Sequence, residues 1–311
     1  MAKRRRLRLD RIGILLGTCI VLVALIAAGI IWLFVYTGDV RASSCYYDLA
    51  SYNTLDIDLN SANYLITKVD SDGLRTLYAY GEDEKIYPAS LTKVMTMMVT
   101  LDYTYDIDAE LTVTSNDLAG LTEANASVAG LYVGSTITIK EALYGLILES
   151  GADCANLLKR YVEEQGYDFI ELMNAKASEL GMSSTHFANV TGLHDDENYT
   201  TLSDLSKLFR YAIDNDNAYA VLTTMYFNEG DYYFESTLSS LDDEGTDTFT
   251  IAGGKTGFIY ESHLNIFAII TSEEGEIYFI IMAGVDEQGS DGYRSHFVDV
   301  ADIVATYFAR W

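Results

Sequence analysis

Ser90 and Lys93 stand three residues apart in the run Tyr87-Pro88-Ala89-Ser90-Leu91-Thr92-Lys93, a spacing that one helical turn brings onto a common face. A serine hydroxyl is a weak nucleophile until a base takes its proton. A lysine amine serves as that base when burial or a second cation lowers its pKa. Leu91, Val94, Met95, Met97, Met98 and Val99 make the segment apolar on nearly every side, so Lys93 is expected to be poorly solvated and neutral near pH 7. A helix starting at Ser90 also offers unpaired backbone N–H groups, that of Ser90 among them, to a developing oxyanion. The pair alone is a weak signal, because any helix can present it by chance.

Lys255-Thr256-Gly257, preceded by Gly253 and Gly254 and followed by an apolar strand pattern, changes the odds. On a strand edge beside Ser90, this triplet would supply a cation and a hydroxyl for a substrate carboxylate, with glycine leaving room for close backbone approach. A phosphate-binding P-loop is excluded, since that motif needs a glycine where Phe249 stands. A third element, S-x-N or S-D-N, is expected between the other two. Ser150-Gly151-Ala152-Asp153 occupies that place in the order, with Ser150 present and Ala152 where the asparagine would be.

Other constellations fail. His186, His194, His263 and His296 do not build a Ser-His-Asp site, because no serine lies in a G-x-S-x-G elbow; they read as structural histidines. Cys19, Cys45 and Cys154 have no metal-binding spacing and are too few for a disulfide framework. Cys154 reads as a small core residue. No metal or other cofactor is expected.

The elements that must position these groups follow from periodicity. Residues 64–69 and 77–80 alternate around Asp70-Ser71-Asp72-Gly73, a hairpin signal. Pro88 should leave Tyr87 extended, with a helix starting immediately afterwards. Residues 139–165 and 168–180 read as helices, residues 249–251, 264–271 and 277–283 as strands, and Phe297, Val300, Val304, Tyr307, Phe308 and Trp311 share one face of a last helix. The expected class is α+β: an early hairpin completing an antiparallel sheet with the late strands, terminal helices packed on it, and a helical subdomain between.

Residues 12–36 form an apolar run behind the basic segment 1–11, about the length that spans a bilayer and longer than the ~7–15 apolar residues of a cleaved signal peptide. By the positive-inside rule it reads as a single-pass anchor with a cytoplasmic N-terminus, residues 37–55 as a linker, and 56–311 as an extracytoplasmic domain. Six of the 20 basic residues and one of the 46 acidic ones precede this run, so the remainder carries a net charge of −31 rather than the chain's −26. Such a surface excludes nucleic acid and anionic lipid as partners, and no protein partner is evident.

The segments YPASLTK, SVAGLYVGSTITIKEALYGLILESGAD, ELMNAKASELGM, THFANVTGLHDDENYTTLSDL and GGKTGF occur in this order, and together the chain from residue 56 onward resembles the D-alanyl-D-alanine carboxypeptidases of the low-molecular-mass penicillin-binding proteins. The resemblance implies a penicillin-binding/β-lactamase-like transpeptidase fold and removal of the terminal D-alanine from peptidoglycan pentapeptide stems, with β-lactams as covalent inhibitors. It makes Ser90 the acylated nucleophile, Lys93 its base, Ser150 a proton relay, and Lys255 with Thr256 the anchor for the substrate carboxylate. Gly257 leaves room for the strand, and the N–H groups of Ser90 and Phe258 form the oxyanion hole. Ala152 departs from the family pattern and leaves a catalytically impaired sensor module as an alternative. A β-lactamase would add E-x-x-L-N, which Glu171-Leu172-Met173-Asn174 only approximates; endopeptidase or transpeptidase action shares every motif.

Overall fold

The structure, a computed structural model, describes residues 55–241, 245–246, 248–285 and 295–308. The expected anchor at 12–36, its basic flank and most of the linker lie outside the described residues, among which no helix is long and apolar enough to cross a membrane.

Strands β1 (Asn63–Asp70) and β2 (Gly73–Tyr80) form the expected hairpin, closing where Asp70 pairs with Gly73. Three long late strands, β7 (Phe249–Ile259), β8 (His263–Ser272) and β9 (Ile277–Val285), complete a five-stranded antiparallel sheet of order β2-β1-β9-β8-β7. The early hairpin therefore does pair with the late strands, through β1 and β9. Alternation along the strands divides the sheet into two apolar faces. Leu65, Phe267, Ile269, Phe279 and Ile281 face the helical part. Ile66, Ile266, Ala268, Ile270, Ile280 and Met282 pack with Val300, Ile303 and Val304 of the C-terminal helix Ser295–Tyr307. Terminal helices were expected to pack the sheet; among the described residues the C-terminal helix covers one face and internal helices cover the other. The hairpins β3 (Glu110–Thr112) with β4 (Thr136–Thr138) and β5 (Tyr226–Glu229) with β6 (Tyr232–Glu235) lie apart from this sheet.

The internal helices are α1 (Thr92–Asp102), α2 (Ser115–Leu118), α3 (Ile139–Ile147), α4 (Ala152–Glu163), α5 (Phe169–Glu179), α6 (Leu202–Ile213) and α7 (Asp216–Leu222); the C-terminal helix is α8. Helix α1 is apolar on all sides because it is enclosed on all sides, with every residue from Thr92 to Thr100 buried. Two boundaries differ from the sequence reading. The single helix expected over 139–165 is broken into α3 and α4, because Ser150 adopts φ +57°, a conformation an α-helix cannot contain. Ser90 sits not in an α-helix but in a 3-10 turn, Ala89–Leu91, leading into α1. Ala89 ahead of it has φ +49°, so the chain turns sharply into the helix.

Candidate active site

A cavity of about 740 Å³ lies between the N-terminal end of α1, the edge strand β7 and the turn joining α3 to α4, with Ser90, Lys93, Ser150, Thr256, Gly257 and Phe258 all in its wall. Six of the seven residues singled out by the sequence thus line one cavity. Lys93 Nζ donates to Ser90 Oγ at 2.9 Å and to the carbonyl oxygen of Thr191 at 2.6 Å. The side chain is 2% exposed, and burial, opposed by the nearby negative charge of Asp153, pulls its pKa down to about 7. The expected neutral base is therefore available near neutral pH.

Edge strand β7 carries the K-T-G triplet against the nucleophile turn. A Cβ on Gly257 would lie 3.1 Å from Ser90 N and 3.2 Å from Pro88 O, so the strand approaches the serine as closely as a glycine allows without a local shift. Asn265 Nδ2, on neighbouring β8, donates to Tyr87 O at 2.9 Å, tying the turn to the sheet from a second strand.

Lys255 is more enclosed than the sequence reading expects. It was expected to reach the cavity as a cation for the substrate carboxylate. Instead its side chain is 0% exposed, is not part of the cavity wall, and donates from Nζ to the carbonyl oxygen of its neighbour Thr256 at 2.8 Å. Burial and then the charge of Lys93 push its pKa well below the usual lysine value. Along β7 Lys255 shares a strand face with Gly257, whose Cβ direction points at Ser90, so its ammonium is sealed beneath the cavity surface within reach of the Lys93 charge, while the Thr256 side chain is only part-covered and lines the cavity. Thr256 Oγ1 donates to Thr237 Oγ1 at 2.7 Å, and Thr237, which no sequence motif marked, lines the same wall.

Ser150 is 5% exposed, and its Oγ, buried at the cavity, has no hydrogen-bond partner among the described residues. Ala152 also lines the cavity, with a methyl group where a carboxamide was expected. The next residue, Asp153, has no place in the sequence motifs as a structural group, yet its buried carboxylate accepts from the backbone N–H groups of Ala129, Gly130, Leu131 and Cys154 at 2.8–3.0 Å. A second loop is held by Asn189, whose Oδ1 accepts from Thr191 N, Thr191 Oγ1 and Gly192 N. That loop presents the Thr191 carbonyl to Lys93. Gly192, at φ +79°, lies so close to Ala89 that a Cβ would fall 1.8 Å from its carbonyl oxygen.

His194 and His296 line the cavity as well. His194 sits edge-on to Tyr87. His296 is buried, which lowers its pKa to about 4. Cys154 is a free, buried thiol. Glu171 is not in the cavity wall, and Asn174 uses its carboxamide on the backbone of Phe187 and Ile170, so this pair supplies no carboxylate for deacylation. No group of three or more His, Cys, Asp or Glu side chains among the described residues is arranged to hold a metal ion.

The family model described as D-alanyl-D-alanine carboxypeptidase matches residues 51–285. D-alanyl-D-alanine carboxypeptidase DacF of Bacillus subtilis is 28% identical, the match covering 54% of this chain and 42% of that protein. The D-alanyl-D-alanine carboxypeptidase of Streptomyces sp. strain K15 is 33% identical over 48% of this chain and 54% of its own. The chain thus spans about half the length of these curated relatives. Among solved structures, the Streptomyces K15 DD-transpeptidase superposes with a TM-score of 0.71 at 25% identity, covering 82% of this chain and 100% of that one. The penicillin-binding DD-peptidase fold is shared.

Proposed function

Because this chain belongs to the D-alanyl-D-alanine carboxypeptidase family, we propose that it releases the terminal D-alanine from D-alanyl-D-alanine peptide stems of peptidoglycan through an acyl-enzyme on Ser90. The observation that carries the reading is the hydrogen bond from a buried Lys93, its pKa brought to about 7, to the Ser90 hydroxyl. Neutral Lys93 takes the Ser90 proton as Oγ bonds to the carbonyl carbon of the penultimate D-alanine. The tetrahedral oxyanion is met by the N–H of Ser90, with Phe258 on the same wall. The peptide C–N bond then breaks, and the proton passes to the departing amine through Lys93 or the unpartnered hydroxyl of Ser150. Water attacks the ester in the second step, regenerating Ser90.

The departing residue ends in a carboxylate, for which Thr256 and Thr237 supply the cavity's paired hydroxyls. Lys255 Nζ donates to the Thr256 carbonyl oxygen from the strand face that Gly257 turns toward Ser90, a buried cation beneath this part of the wall. β-Lactams, whose opened ring keeps its leaving group attached, should stop the reaction at the acyl-enzyme. Labelled penicillin is therefore expected to attach to the protein and not to Ser90→Ala; labelling at any other residue overturns the assignment. Release of D-alanine from a pentapeptide, against transfer to an amine acceptor, separates hydrolysis from transpeptidation, and cleavage of a cross-linked dimer reveals endopeptidase action. We also infer that residues 12–36 anchor the domain on the outer side of a membrane, supported by the basic segment ahead of this apolar run; extraction by alkali instead of detergent would refute it.

A further inference from the structure

We propose that Asn125 is the residue that recognises the substrate's backbone amide, taking the part that Ala152 cannot. This rests on the acyl-transfer reading above. A peptide entering the cavity loses water from its N–H and C=O groups, and each needs a partner there. Strand β7 offers the Thr256 hydroxyl and backbone. Ser150 and Ala152 also line the cavity, and Ala152 contributes only a methyl group. Among the residues lining the cavity, Asn125 is the one carboxamide, able both to donate to a carbonyl and to accept from an N–H.

Its position is built. Asn125 N donates to Thr122 O at 3.1 Å and Ala126 N to Leu121 O at 3.0 Å, closing a turn in which Asn125 adopts φ +50°; asparagine tolerates that conformation better than other side-chain-bearing residues. Just beyond it, Ser127 O accepts from Ala152 N at 2.8 Å, which couples the turn to the position that lacks the asparagine. The backbone N–H groups of the turn are therefore paired while the Asn125 carboxamide has no hydrogen-bond partner among the described residues, and the residue stands exposed at the cavity. A side chain held on a rigid turn with its donor and acceptor unused is available to a ligand.

The test compares two β-lactams on the full chain: benzylpenicillin, which carries an acylamido side chain, and 6-aminopenicillanic acid, which lacks that amide. Asn125→Gly is the variant, because glycine keeps the φ of the turn. The expected result is an acylation rate by benzylpenicillin lowered about tenfold, roughly 1.4 kcal/mol, with the rate by 6-aminopenicillanic acid unchanged. Ala152→Asn added to Asn125→Gly should restore part of the loss. Equal rates for the variant and the unaltered protein with benzylpenicillin overturn the inference, and so does an equal loss with both compounds, which marks a structural role. If the unaltered protein itself is not acylated at Ser90, the underlying acyl-transfer reading falls, and the inference with it.

Discussion

Two loops bound the cavity beside the nucleophile, and they are fastened by opposite means. The loop ending at Leu131 is held from a distance by a charge: the buried carboxylate of Asp153 takes three of the loop's N–H groups and its own neighbour's. The loop around Thr191 is held from within by a neutral carboxamide, that of Asn189, two residues away, and by the contact of Gly192 with Ala89. The first arrangement links two parts of the chain that are distant in sequence, through a fully buried carboxylate. The second is local. Loss of the first should therefore cost folding, whereas loss of the second should cost mainly the placing of the Thr191 carbonyl on Lys93.

The sharpest break is Asp153→Ala. Removing the acceptor strands the buried N–H groups of Leu131 and Cys154, each costing about 1–3 kcal/mol if left unpaired, and frees the part-buried ones of Ala129 and Gly130, so a loss of about 4 kcal/mol is expected, read from the urea unfolding midpoint. A loss under about 1 kcal/mol would mean that water enters and the carboxylate is dispensable. Next comes Gly192→Ala. Its Cβ would fall 1.8 Å from the Ala89 carbonyl oxygen at a φ of +79°, and the displacement should cost about 3 kcal/mol and abolish penicillin labelling of Ser90.

Asn189→Ala should be milder, about 1–2 kcal/mol, while slowing acylation more than its stability loss explains. Unchanged acylation would show that the Thr191 carbonyl is set by the Thr96 hydroxyl, which donates to Val190 O at 2.7 Å, and not by Asn189. The smallest effect sought is a pH shift. Acylation requires neutral Lys93, so its rate should rise with pH, reach half its limit near 7 and level off above. Because the Asp153 charge raises the Lys93 pKa, Asp153→Asn should move that midpoint to lower pH. A midpoint that stays fixed or rises would remove Asp153 from the electrostatics of the site and leave it a purely mechanical clamp.

The contrast between the loops also marks where reading the chain succeeds. Hairpin β1–β2, the buried character of α1 and the i, i+3 pairing of Ser90 with Lys93 arise within a few residues, so local pattern carries them. The break at Ser150 does not show in the apolar period of residues 139–165, because both flanking helices keep that period. Lys255 is sealed beneath the cavity surface, because a triplet names residues without saying how deeply each is buried. Asp153 looked like a motif neighbour, and only its approach to residues 129–131 reveals a clamp.

What the chain determined by itself was chemical identity: a hydroxyl, an amine one turn away, a glycine-flanked K-T-G, and an apolar helix to dry the amine. The tertiary structure alone decided that Thr256 and Thr237 line the cavity while Lys255 is sealed beneath its surface, that Thr191 supplies the second acceptor for Lys93, and that Asn125 joins the same lining. Those contacts join residues far apart along the chain, and their energies depend on burial and on which strand face turns inward, quantities that exist only once the sheet and the helices have closed on one another.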